Sequence, residues 1–153
     1  MKEILVFIEI EKEKMQNTPE LKVIVLVGFP ASGKTTWANA HYDQFLRIDG
    51  DSLKTSKKVA KAVLDGLSSN RNVIVDATNV TLERRADIMI EARKFNALVY
   101  CVVFRLPIAE CINRSKIREA AGGPHISSVA YNTLKSRYVE PTMAEGFCLI
   151  VSV

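Results

Sequence analysis

The sequence predicts an α/β fold: a three-layer αβα sandwich with a mostly parallel sheet of about five strands between two layers of helices. Three observations lead there. From Leu21 onward, short apolar runs alternate with longer amphipathic ones. Two of the short runs, Val23–Val27 and Asn72–Asp76, are almost continuously apolar, as strands buried on both faces are. A glycine-bearing segment, GFPASGKTT (Gly28–Thr36), joins the first of these runs to a helical stretch without a break.

The elements follow in order. Glu3–Ile10 reads as an extra N-terminal strand and EKEKMQNTPE as a polar linker, so residues 1–20 stand apart from a main domain at 21–153. Val23–Val27 is the first buried strand, Lys34–His41 a helix and Phe45–Ile48 a short strand. Asp51–Leu67 reads as one helix, because Leu53, Ala60, Val63, Leu64 and Leu67 line one face at helical spacing. Asn72–Asp76 is a strand, and Leu82–Phe95 a helix with Leu82, Ala86 and Met89 as its apolar stripe. Ala97–Phe104 is a strand and Ile108–Ala120 a helix. The run AGGP (Ala121–Pro124) breaks the chain, Ser127–Tyr138 is helical, and Phe147–Val153 is the last strand.

The bulk numbers set bounds. The chain has 153 residues, 48% hydrophobic and 25% charged, enough for one domain with a proper core. A net charge of +4 permits an anionic partner without requiring one. The three cysteines, Cys101, Cys111 and Cys148, form no CxxC pair, which argues against a disulfide framework or a zinc site. Cys101 and Cys148 lie in apolar runs and read as small core residues in a reducing compartment. The N-terminus lacks the basic start and cleavage site of a secretory signal, and no run is long enough to span a membrane. A cytoplasmic or nuclear location is expected, with no membrane partner.

The segment Gly28–Thr36 matches GxxxxGK[ST]. Glycines let backbone N–H groups turn toward phosphate oxygens, and the following helix points its positive end at the same anions. Gly28, Ala31, Ser32, Gly33, Lys34, Thr35 and Thr36 are therefore the expected ATP-binding residues. Lys34 would reach the β- and γ-phosphates and Thr35 would ligate Mg²⁺. The preceding strand and following helix support this over a chance match, and the fold class narrows to the P-loop NTPase type. No GxGxxG is present, so a dinucleotide site is not expected.

Asp76 ends an apolar strand, where an acidic residue either caps a turn or holds Mg²⁺; a phosphate loop nearby favours the metal. Asp49 and Asp51 follow the short strand. Asp51 just precedes a helix and reads as an N-cap; it also reads as the base a kinase needs beside the γ-phosphate, and one residue can do both. Lys54, Lys57, Lys58 and Lys61 fall on one helical face, either a solvated face or a track for a polyanion. Arg114 and Arg118 share a face beside the glycine pair, which reads as a solvated helix or as a mobile lid whose arginines stabilise a transferring phosphoryl group. Arg84 and Arg85 are left open between substrate contact and solvent.

Together these stretches resemble the kinase domain of polynucleotide kinases, in particular the eukaryotic kinase that is paired with a 3′-phosphatase. The resemblance runs from Val23 to the end and rests on GFPASGKTT, DSLK, DATN, NRSKIRE and above all VEPTMAEGF (Val139–Phe147), a stretch that spacing alone does not single out. It implies ATP-dependent phosphorylation of DNA or RNA 5′-hydroxyl ends. It carries the catalytic aspartate to Asp51, arginine roles to Arg118 and Arg114, and substrate contacts to Lys54 and Asn79. The sequence departs from that family at Ala31, where glycine is usual, at Asp49-Gly50 in place of Asn-Arg, and, relative to the phage enzyme, at Lys54 and Ala77. No DxDx[TV] phosphatase motif is present, so a separate phosphatase or ligase component is an expected partner. Two rival readings stand beside this one. IDGDS is similar to the corresponding stretch of adenylylsulfate kinases, which implies a small-molecule kinase. A nucleotide-binding regulatory module with little turnover is the other.

Overall fold

The computed structural model describes residues 19–153; the proposed strand at Glu3–Ile10 lies outside them. Strands β1 (Lys22–Val27), β2 (Leu46–Asp49), β3 (Val73–Asp76), β4 (Leu98–Val103) and β5 (Leu149–Ser152) form one sheet in the order β2-β3-β1-β4-β5. Every pairing is parallel. Parallel neighbours require crossovers, and the helices supply them: α1 (Lys34–His41), α2 (Gly50–Leu53), α3 (Ser56–Ser68), α4 (Leu82–Arg93), α5 (Ile108–Ala120) and α6 (Ser128–Arg137).

β1 is wholly buried at the centre of the sheet. Its alternation divides the core. Val23, Val25 and Val27 face one layer with Val63, Leu67, Ile88 and Phe147, whereas Ile24 and Leu26 face the other with Ala38, Tyr42 and Phe104. The carboxyl ends of β1, β2 and β3 bring Gly28, Asp49 and Asp76 to one rim, with Asp49 registered against Asp76. Ligands in open parallel sheets bind at this rim.

Four expectations need correction. The single helix over Asp51–Leu67 is two helices, α2 and α3. Lys54 adopts a left-handed φ of 68° between them, and the Thr55 side chain caps α3 by accepting from Lys58 N. Asp49, not Asp51, caps α2, accepting from Asp51 N and Ser52 N. The inward face of α4 is Arg85, Ile88, Met89 and Ala92, while Leu82 and Ala86 of the expected stripe are exposed. The stripe was displaced because its neighbour Arg85 is buried, as an ion pair that hydropathy does not reveal. Cys101 is buried, with its thiol pushed up to about 12 by burial, but Cys148 is exposed.

Candidate active site

The phosphate loop leaves β1 at Gly28 and enters α1 through Gly33, whose φ of 96° turns the backbone as only glycine does without strain. Ala31 also sits in the left-handed region, at φ 61°. For a residue with a Cβ this costs about 1–2 kcal/mol, a strain the loop carries at Ala31. Two contacts from other elements hold the loop. Gly28 N donates to Thr78 O at 3.0 Å, and the hydroxyl of the buried Tyr131, on α6, donates to Pro30 O at 3.0 Å. Neither partner was legible as a loop support, because both lie far away in the sequence.

A cavity of about 600 Å³ opens above this loop. Its wall includes Lys34, Thr35, Thr36, Asp51, Asp76, Arg114 and Arg118, so residues expected separately from four stretches of sequence share one cleft. Ala31 and Gly33 also line it. Gly28 and Ser32 stand behind the wall: Ser32 is buried and its Oγ faces Lys34 Nζ at 3.3 Å. Lys34 is buried and donates to Gly28 O at 3.0 Å and Phe29 O at 2.7 Å. Burial lowers its pKa to about 8, against the opposing pull of the Asp76 and Asp51 carboxylates.

Thr35 Oγ1 donates to Asp76 Oδ2 at 2.6 Å, across 41 positions of sequence. A hydroxyl and a carboxylate held together at the mouth of a phosphate loop are hard oxygen donors. They suit Mg²⁺, which takes one or two protein ligands and fills its remaining positions with water and phosphate oxygens. Among the described residues no group of three or more His, Cys, Asp or Glu could enclose a metal by itself. Arg47 was missed by sequence reasoning. It lies on β2, lines the cleft, and its Nε donates to the same Asp76 Oδ2 at 2.8 Å. The strand alternation Arg47–Ile48–Asp49, with only Ile48 fully buried, was the available signal.

Asp51 is exposed on the first turn of α2. Its backbone is anchored by Asp49, whose Oδ1 accepts from Asp51 N at 3.0 Å and whose Oδ2 accepts from Ser52 Oγ at 2.8 Å. Burial pushes the Asp49 carboxyl up, but hydrogen bonds from Ser52 and Asp51 and the charge of Arg47 together hold it below the usual carboxylate range. Asp49 thus positions while Asp51 projects into the cleft.

Arg114 and Arg118 reach the cleft from α5. Arg114 Nη2 lies 3.6 Å from Glu110 Oε1, a long contact between half-exposed side chains. The glycine pair stops the helix: Gly123 N donates to Arg118 O at 2.8 Å and Gly122 takes a φ of 94°. The turn delivers Pro124 and Ile126 to the cleft wall.

Two expected substrate contacts lie outside the cleft wall. Lys54 is exposed and leaves the helix, and its carbonyl accepts from Arg84 Nη2 at 3.3 Å. Lys57 and Lys61 stay on α3 and meet Asp87 and Asp65. Asn79 is 1% exposed, and its amide donates to Leu26 O at 2.8 Å.

A family model described as an AAA domain matches residues 52–141. The bifunctional polynucleotide phosphatase/kinase of Schizosaccharomyces pombe is 31% identical over 135 residues, 86% of this chain and 33% of that protein. The chain spans about a third of the length of the curated relatives it matches. Among solved structures, a chain of the Pnkp1/Rnl/Hen1 RNA repair complex superposes with a TM-score of 0.67 at 27% identity, over 79% of this chain and 45% of that one. The APS kinase of Mycobacterium tuberculosis, at 17% identity and a TM-score of 0.55 over 88% of this chain and 90% of its own, shares the fold. With a model that spans more than half of its length, the chain belongs to the AAA domain family, and its sequence is similar to part of the polynucleotide phosphatase/kinases.

Proposed function

We propose that the protein transfers the γ-phosphate of ATP to a 5′-hydroxyl at the end of a DNA or RNA strand. The observation that carries this is the gathering of Lys34, the Thr35–Asp76 pair, Asp51 and the two arginines of α5 in one cleft. A pure nucleotide switch has no need of an anchored carboxylate projecting toward the phosphate loop. A kinase needs one to accept the proton of the attacking hydroxyl.

Each residue then has a task. Backbone N–H groups of the loop and Lys34 bind the phosphates. Thr35 and Asp76 would hold Mg²⁺, which would supply neutralisation of phosphate charge. Asp51 takes the proton from the 5′-hydroxyl as its oxygen bonds to the γ-phosphorus and the bond to the β-phosphate oxygen breaks, releasing ADP. Arg114 and Arg118 stabilise the charge spread over the transferring phosphoryl oxygens. The nucleic acid acceptor is favoured over a small one by the similarity to the bifunctional polynucleotide phosphatase/kinase of Schizosaccharomyces pombe, 31% identical over 135 residues. Separate phosphatase or ligase activities are the expected companions in end repair.

The test is transfer of labelled γ-phosphate to a 5′-hydroxyl oligonucleotide with Mg²⁺, run beside adenylylsulfate. Asp51→Ala is expected to lower turnover by at least about a hundredfold while ATP affinity stays near that of the unmodified protein. Near-normal turnover in this variant would remove Asp51 as the base. Label on adenylylsulfate alone would replace the acceptor.

A further inference from the structure

The VEPTMAEGF tail reaches the phosphate loop through a buried ion pair that the proposed chemistry does not use. Arg85, on α4, has a fully buried side chain, and Glu145 a nearly buried one, 11% exposed. Arg85 Nε donates to Glu145 Oε1 at 2.8 Å and Nη2 to Glu145 Oε2 at 3.2 Å. The remaining arm, Nη1, donates to Asn79 O at 3.0 Å. Asn79 sits in the β3–α4 turn at a left-handed φ of 46°, with its amide on Leu26 O. One residue earlier, Thr78 O accepts from Gly28 N, the first amide of the phosphate loop, and Thr78 itself lines the cleft. A second thread runs parallel, from Val139 N to Val80 O at 2.8 Å.

We propose that Glu145 and Arg85 are positioning residues for the nucleotide site. They fix the turn that carries Thr78 and Asn79, and through it the first residue of the phosphate loop. The chemistry favours this over a simple staple. A bidentate arginine fixes orientation as well as distance, and its third arm ends on a backbone oxygen of the turn that holds the loop. Glu145 is itself aligned by Thr142 N, 2.9 Å from Oε2. The family-like tail is therefore a brace under the loop, not a substrate contact.

The inference rests on reading the cleft as an ATP site and is independent of the acceptor. Its test is calorimetric binding of Mg²⁺-ATP to the full chain. Arg85→Ala leaves a buried carboxylate facing a void and is a poor probe; Glu145→Gln, at the rim of the pair, keeps the shape and removes the charge. We expect it to weaken Mg²⁺-ATP binding about tenfold, the scale of one charge-assisted hydrogen bond, with an unchanged far-ultraviolet circular dichroism spectrum. Ile88→Val, which thins the core on the same helix, serves as the control for general destabilisation and is expected to bind normally. Glu145→Gln binding as tightly as the unmodified protein, or weakening no more than Ile88→Val, would overturn the proposal. Absence of Mg²⁺-ATP binding by the unmodified protein would instead overturn the nucleotide site itself.

Discussion

Lys34 donates to oxygens of its own loop, which a bound phosphate would replace. Burial holds its pKa at about 8, and phosphate oxygens beside it favour the ammonium form, so the pKa in the complex is higher. The sign follows. The Lys34 contribution to ATP affinity is complete below about pH 8 and declines as pH rises from there toward the raised pKa of the complex. At pH 8.5, calorimetry in buffers of different ionisation heat should record net proton uptake on binding; proton release, or none, would show that Lys34 is already fully charged in the unbound protein. At this scale the sequence was informative where a residue type has one use. GxxxxGKT implies Lys34 and Thr35 because few backbones need that pattern. It was uninformative for Arg47, Arg85 and Tyr131, each common in type, whose role comes entirely from a partner 29, 60 and 101 positions away.

Among the elements, α2 matters most for its size. It is a single turn between β2 and α3, and it exists because Asp49 caps it and Lys54 ends it in a left-handed conformation. Gly50 makes this turn possible. A Cβ there would stand 2.4 Å from Ala77 Cβ, and Ala77 is buried on the backbone segment between Asp76 and Thr78. Gly50→Ala should therefore push the end of β2 from the end of β3, separating Asp51 from Asp76. A stability loss of about 1–3 kcal/mol is expected by urea denaturation, with a fall in phosphotransfer larger than Ile88→Val produces. A neutral effect on both would mean that the two strand ends yield freely. Helical periodicity ran across this break, since Leu53 packs against the core and Val63 and Leu67 lie within it. The left-handed residue between them is a lysine, and nothing in that residue type announces a turn. The α4 stripe failed for the related reason that an ion pair replaces apolar contact at Arg85.

For the whole molecule, the alternation of strand and helix was legible because continuous apolar runs admit few readings other than a sheet covered on both faces. The sheet order was beyond such reading, since register depends on contacts between distant runs. With the nucleic acid acceptor proposed above, the net charge of +4 and the exposed Lys57 and Lys58 of α3 make salt-sensitive capture of the strand the expected outcome. The affinity for a single-stranded oligonucleotide should fall with salt at a logarithmic slope of about 0.7 per phosphate engaged, and Lys57→Ala with Lys58→Ala should flatten it. An unchanged slope would leave that face to the solvent. The Arg85–Glu145 pair has a consequence for the order in which the molecule is made. A ribosome that has released the chain as far as Ile126 has already emitted every residue of the cleft wall, yet the guanidinium of Arg85 still waits for a carboxylate 60 positions downstream. Until the stretch ending at Phe147 emerges, that charge has no place in the core, and the phosphate loop lacks its brace. Interrupted or clipped chains would thus carry an uncompensated cation in an open sheet. They would be inactive and marked by their own instability for proteolysis before they could engage ATP.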